Sequence, residues 1–500
     1  MTVLDRPVQA PESAGAVRAV LALARVEARR LLLHPMVAIA LAGYLLWPLW
    51  SGSWRDTHQV LQEVDRESQL GPLLVGLAGL LAANSAVLRS LRHGTEAHFG
   101  VLVMPPWRRT VAHALSVLPL TLVVAAAVAG MFAWEATRPG AVGHASGFEL
   151  ATGPLMVLFF GVLGVLLGRL VPSMFAGATA VVAILAVTFV FAVLPDGVRW
   201  LVPLVADEGA APLPSDLVGR PARWHALYLV GLTVLAGAVA ALASGGRTAA
   251  VRATALGALG VTVAGTVMQV TGPSAALVEA RERATRDPAS VQECLRRGTT
   301  TYCAFPEFVP WVDEWRVVVD GVRSLAGEPA ASRGLVVRQR VNALDGPSGG
   351  GPSGIVEELP PGPRGEVTVS TVWGDEGRLG LAVSVARGMV VDDENHGVYC
   401  DARGVLMMWM AVNGAPGGRA AFARTQTSTL WSPLLEIRLR DRENAVVRAL
   451  LERPAAEVAR QVKASWAELV RPDASTDRVA ALLGVTAPAE TAADREWRCA

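Results

Sequence analysis

Lysine is almost missing: Lys463 is the only one among the 45 basic residues of this 500-residue chain. With no other lysine the chain can form no G-x-x-x-x-G-K-[ST] loop, and so has no ATPase motif of its own. H-E-x-x-H, G-x-S-x-G and a helix-opening G-x-G-x-x-G are missing as well. No motif therefore points to zinc proteolysis, a serine nucleophile or a dinucleotide cofactor, and the chain is read as a non-enzyme without cofactor or metal. Charge is scarce, at 18% of residues, against roughly 25% in soluble domains. A formal net charge of +1 gives no footprint for nucleic acid. Cysteine is absent before Cys294. The first residues, MTVLDRPVQAPESAGA, lack the charged-then-apolar order of a secretory signal.

What is abundant is apolar sequence. LMVLFFGVLGVLLG and ATAVVAILAVTFVFAVL, within 155–194, are apolar all round. Each approaches the ~20 residues that cross a bilayer as a helix. The expected fold is an α-helical membrane protein with about seven transmembrane helices, followed by a mostly helical α+β extracytoplasmic domain. Residues 1–16 form a disordered cytoplasmic tail and 17–271 the transmembrane domain. The spans fall near 35–50, 70–88, 111–134, 154–171, 175–194, 225–243 and 253–270, and the outer domain is 272–500. Within these spans Asp, Glu, Lys and Arg occur only near the ends. Intramembrane charges mark ion relays, so a proton- or sodium-driven transporter is disfavoured. Gly161, Gly164 and Gly168, with Gly257, Gly260 and Gly265, would allow close helix packing, and Asn84 and Gln269 could bond between helices.

Arginine distribution orients the chain. With the N-terminus inside, segments 1–35, 88–110, 169–173 and 244–252 carry twelve arginines against four acids. The opposite loops, 51–69, 134–152 and 195–224, carry six against ten. Positive residues favour the cytoplasmic side, which places 272–500 outside. The cysteines agree. Cys294, Cys303, Cys400 and Cys499 all follow the last span, as disulfides in an oxidising compartment would. Of the three possible pairings, Cys294–Cys303 closes a local loop and Cys400–Cys499 would tie back the C-terminus. Zinc is the competing reading, but there is no CxxC pair. Near-exclusive arginine usage with abundant Ala, Gly and Val suggests a GC-rich bacterial genome, hence a bacterial cell membrane.

In the outer region, 274–286, 309–325, 398–412, 443–451, 455–469 and 477–483 read as helices; 335–341 and 366–372 alternate as strands. Val458, Val462, Trp466 and Leu469 share one helical face. Asp345–Gly365 is a Pro/Gly loop, and Asp392, Asp393 and Glu394 near His396 read as a solvated acidic turn.

Two segments on the cytoplasmic side carry a pattern. Val17–Leu33 is a basic amphipathic helix that should lie along the membrane surface, broken by His34-Pro35. Thr95–Val103 is a short helix-capable piece with Thr95 as N-cap and Glu96 at the favourable end of the helix dipole. Pro105-Pro106 stops it, and Arg108-Arg109 follow. The stretches VEARRLLLHP and GTEAHFGVLVMPPWRRTVAHAL, with small-residue-rich spans, resemble permeases of the ABC-2 type over roughly residues 17–243. The resemblance implies an elbow helix at 17–33 and a coupling helix at Thr95–Val103, with Thr95, Glu96, Phe99 and Val103 facing a separately encoded ATPase. It also implies a homodimer or a heterodimer with another permease. Typical members have six spans and small outer loops; this chain is expected to have a seventh span and a large outer domain. A receptor or accessory protein acting through that domain is the second reading, and an extracytoplasmic hydrolase the third.

Overall fold

The computed structural model describes residues 13–51, 58–95, 104–192, 199–204, 211–344, 362–391, 397–425, 429–432, 435–492 and 494. Helix α1 (Ser13–Leu32) stops just before His34, and α2 (Pro35–Ser51) leaves it at 61°. Pro35 opens α2 at the position where its missing N–H costs nothing. There follow α3 (Leu61–Glu67), α4 (Leu70–Val87), α5 (Pro106–Leu115), α6 (Leu118–Ala136), α7 (Gly147–Leu170), α8 (Ala176–Ala192), α9 (Ala222–Ala243) and α10 (Ala249–Val270). Among the described residues five helices are long and apolar enough to cross a membrane, or six if the α1–α2 pair is one broken span. Helix α8 is apolar but shorter. Ile39, Leu122, Val182, Phe189 and Leu256 stand two-thirds or more exposed on the outer faces of this layer. Apolar surface of that extent belongs against lipid or another apolar partner rather than water.

Small residues set the helix spacing. A Cβ on Gly164 of α7 would lie 2.3 Å from the Leu80 carbonyl oxygen of α4, so only glycine permits this approach. Asn84 Nδ2 donates to Gly164 O there at 3.3 Å. Gly265 of α10 meets the Tyr228 backbone of α9, and Gln269 Oε1 lies 3.2 Å from His225 Nδ1. Gly257 and Gly260, by contrast, face open space. The close packing expected of them is not made, since nothing among the described residues lies within 4 Å of a Cβ at either position.

After α10, Ser274 caps α11 (Ala275–Arg286), its hydroxyl accepting from Leu277 N at 3.3 Å. The C-terminal domain holds two sheets. The first has the order β1 (Glu293–Arg297), β2 (Thr300–Ala304), β3 (Leu335–Gln339), β4 (Glu366–Val369). β1 and β2 form an antiparallel hairpin; β2, β3 and β4 run parallel. The β2-to-β3 crossover is α12 (Val312–Arg323), a helix whose Trp315, Val318, Val319 and Val322 are buried. Parallel strands need such a crossover. Helix α13 (Asp375–Val390) is buried on nearly every side, and its even burial explains why no periodicity announced it. The second sheet, β5 (Gly397–Tyr399), β7 (Leu435–Arg438), β6 (Thr429–Ser432), has β7 in the middle.

The helix expected to begin at 398 instead starts at Arg403, as α14 (Arg403–Gly414). Residues 397–399 pair with β7, and Asp401 accepts from Arg403 N at 2.9 Å to start the new helix. The helix expected over 455–469 breaks at Ser465, yet Val458, Val462, Trp466 and Leu469 are all buried as their spacing predicts.

Cys294 and Cys303 form a disulfide. They sit opposite each other in the β1–β2 hairpin, so the predicted loop is a strand pair turning at Gly298, whose φ of 61° suits glycine. Cys400 is also disulfide-bonded; Cys499, its predicted partner, lies outside the described residues.

Candidate functional site

The predicted elbow helix, 17–33, lies almost wholly within α1. Glu27, 5% exposed, is the one acid in the 20 residues of this helix. Arg30 Nη1 donates to its Oε1 at 2.9 Å from one turn on. Arg89 Nη1 reaches both of its oxygens, at 3.0 and 3.2 Å, from the end of α4. A carboxylate so buried requires such partners, since an unpaired charge there would cost several kcal/mol. Helix α1 is thus locked to the root of the 88–110 connection. A small cavity of about 30 Å³ beside the pair is lined by Glu27, His34, Arg89, His113 and Ser116, room for a water or two.

Across this face, α5 is tied to the connection after α9. Thr110 Oγ1 lies 2.8 Å from Ser244 Oγ, and Trp107 packs on Gly246. Thr95, the predicted N-cap, bonds backward: its N–H and hydroxyl both donate to Ser90 O, at 3.0 and 3.3 Å. Glu96, Phe99 and Val103 lie outside the described residues, as does the acidic turn 392–396. Among the described residues no group of three or more His, Cys, Asp and Glu is placed to hold a metal ion.

On the opposite side is a junction that the sequence reading missed. The C-terminal domain rests on three connections of the helical layer through residues spaced one helical turn apart. Glu307 Oε1 accepts from Ser215 N at 3.0 Å and Gln62 Nε2 at 3.0 Å, and its Oε2 from Ser215 Oγ at 2.7 Å. Trp311 Nε1 donates to Gly140 O at 2.7 Å. Glu314 accepts from His58 Nε2 at 2.6 Å, Trp373 Nε1 at 3.0 Å and Arg378 Nη2 at 2.9 Å. Burial would raise the Glu314 pKa, but these three bonds outweigh it and hold the carboxyl below its usual range.

The connections join the domain core outright. Val60, Val142, Leu213, Leu217 and Val218 lie in the same buried cluster as Trp311, Trp315 and Trp409. Arg281 of α11 clamps the third connection by donating to Leu217 O at 2.8 Å and Val218 O at 2.6 Å. The only sequence trace of this seam was acids and tryptophans at helical spacing in PEFVPWVDEW.

A cavity of about 470 Å³ opens at its edge, between the His144 and Pro214–Leu217 connections, α11 and the Phe305–Glu307 turn. Comparison with protein-family models, curated proteins and solved structures finds no match.

Proposed function

We propose that the chain is the membrane-spanning, permease-like subunit of a bacterial ABC exporter, driven by a separately encoded ATPase. In this reading α2 and α8 complete seven spans, the Glu27 face is cytoplasmic and the C-terminal domain is extracytoplasmic. The observation that carries it is the Glu27–Arg89 contact. A force applied at the 88–110 connection passes directly to the elbow helix and to α4, as a coupling loop requires. Glycine-mediated packing of α4 on α7 makes those helices one rigid lever. The exposed apolar flanks suit a partner permease or lipid.

Co-purification tests the proposal. Phe99 is the large apolar residue of the predicted coupling segment best placed to be an anchor. Truncating an interface anchor commonly costs about 2 kcal/mol or more, roughly thirtyfold in affinity. Phe99→Ala should therefore lose the ATPase while the protein still inserts and folds, and Glu96→Ala should lose less. An ATPase retained normally by Phe99→Ala, or none with the wild type, sinks the reading.

The firm seating of the C-terminal domain on three connections favours a second reading, a receptor or accessory protein that signals from that domain into the spans. A neighbouring gene encoding a Walker-motif ATPase separates the two.

A further inference from the structure

The cavity at the edge of the junction has the size and lining of a ligand site. Its 470 Å³ falls within the roughly 300–1,000 Å³ of small-molecule pockets. Leu217, Ala280, Ala284, Val291 and Phe305 supply apolar walls. Two carboxylates, Glu307 and Asp216, supply the charge.

These carboxylates differ in kind. The Glu307 side chain is 10% exposed and held in place by Ser215 and Gln62. Those bonds use three of the four or so acceptor positions that a carboxylate offers. Among the described residues its Oε2 takes only the Ser215 hydroxyl, with the largely exposed His144 ring 3.8 Å away. Asp216 is exposed at the rim. The one cation on the lining, Arg283, is itself more than half exposed, with Glu279 on its own helix 3.9 Å away. The inner charge is therefore negative and fixed, and the walls are apolar.

We infer that this cavity binds an amphiphilic organic ammonium compound, its cationic head toward Glu307 and Asp216 and its apolar body against Leu217, Ala280 and Phe305. His144 and Pro214–Leu217 of the lining lie in the connections that lead into α7 and α9, which puts the cavity on the side of the apolar layer where an amphiphile would enter. The head could belong to a membrane lipid or to a free amine. The site does not depend on the exporter reading, because binding needs no ATPase.

The test uses the full chain purified in an uncharged maltoside micelle, with empty micelles as blank. Octylammonium, octanol and octanoate share a tail and differ in head charge, and calorimetry reads each. Octylammonium should bind saturably and about tenfold tighter than octanol, the scale of one charge-assisted contact, with octanoate weakest. Asp216→Asn should reduce that preference several-fold without changing octanol binding. Ala280→Phe, which fills the cavity, should abolish saturable binding of all three.

If Ala280→Phe does not fold, Asp216→Asn and the head-group series still decide. Native mass spectrometry identifies the source. An amine-headed lipid retained by the wild type and lost from Ala280→Phe makes the occupant a lipid; its absence, with octylammonium binding intact, makes it a free amine. Equal affinity for octanol and octylammonium, or octylammonium binding untouched by Ala280→Phe, overturns the inference.

Discussion

His58 Nε2 lies 2.6 Å from Glu314 Oε1, joining residues 256 positions apart in the chain. The imidazole is nearly buried, and His58 is the one non-glycine residue with positive φ among the described residues. Gly140 allows this: a Cβ there would come within 2.3 Å of the His58 ring. An ionised carboxylate only accepts, so the imidazole N–H donates.

Removing this contact should loosen the seam. Hydrogen bonds to charged groups contribute about 1.5–3 kcal/mol. Glu314 is 39% exposed, which brings the expectation for His58→Ala to about 1–2 kcal/mol after solvent screening. Amide exchange should rise selectively over 306–323 and 139–146. Uniform change across the protein would mean that the contact has no local role.

The same carboxylate makes the seam acid-sensitive. Its pKa is lowered in the folded state by Arg378, Trp373 and His58 against the opposing effect of burial. For a depressed carboxylate the contribution is fully present above the ordinary value of 4.5 and is lost as pH falls below it through the folded value. Glu314→Gln should be less stable near neutral pH but should show less additional loss over that acid range. Parallel pH profiles for the two proteins would assign the acid response to other groups.

Glycine-mediated packing gives a paired prediction. Gly164→Ala forces a methyl group against the Leu80 carbonyl and should destabilise by roughly 1–3 kcal/mol through overpacking. Gly257→Ala meets nothing within 4 Å and should be neutral or slightly stabilising, because alanine is the better helix former. Thermal unfolding in detergent compares them; a Gly164→Ala protein as stable as Gly257→Ala contradicts the close-packing account.

The sidedness proposal is tested by labelling. His93→Cys, on the Glu27 face, and Val317→Cys, half exposed on the C-terminal domain, should respond oppositely to an impermeant thiol reagent in intact cells. Position 317 should label and position 93 should not; the reverse would invert the orientation. Mass spectrometry of a non-reduced digest should link Cys294 to Cys303 and Cys400 to Cys499, with no free thiol.

Local chemistry made much of this protein legible. Runs apolar on every side specify helices that cannot face water, and His34-Pro35 marks the bend because proline restricts the residue before it. The helix over 274–286 and the Val458, Val462, Trp466, Leu469 face follow from the same local rules. The Cys294–Cys303 link was legible too, since a separation of nine positions leaves only a short loop to close. Burial on all sides hid α13, because periodicity appears only where one face stays wet. Gly164 and Gly257 look alike in sequence; only the path of α4 decides that one touches a backbone and the other does not. The long-range contacts are the clearest case of tertiary decision. Glu27 finds Arg89, and Glu307, Trp311 and Glu314 find partners in three separate connections, through contacts spanning 62 to 256 positions. No local pattern encodes such pairings, because they exist only once the helices have brought their connections to one side.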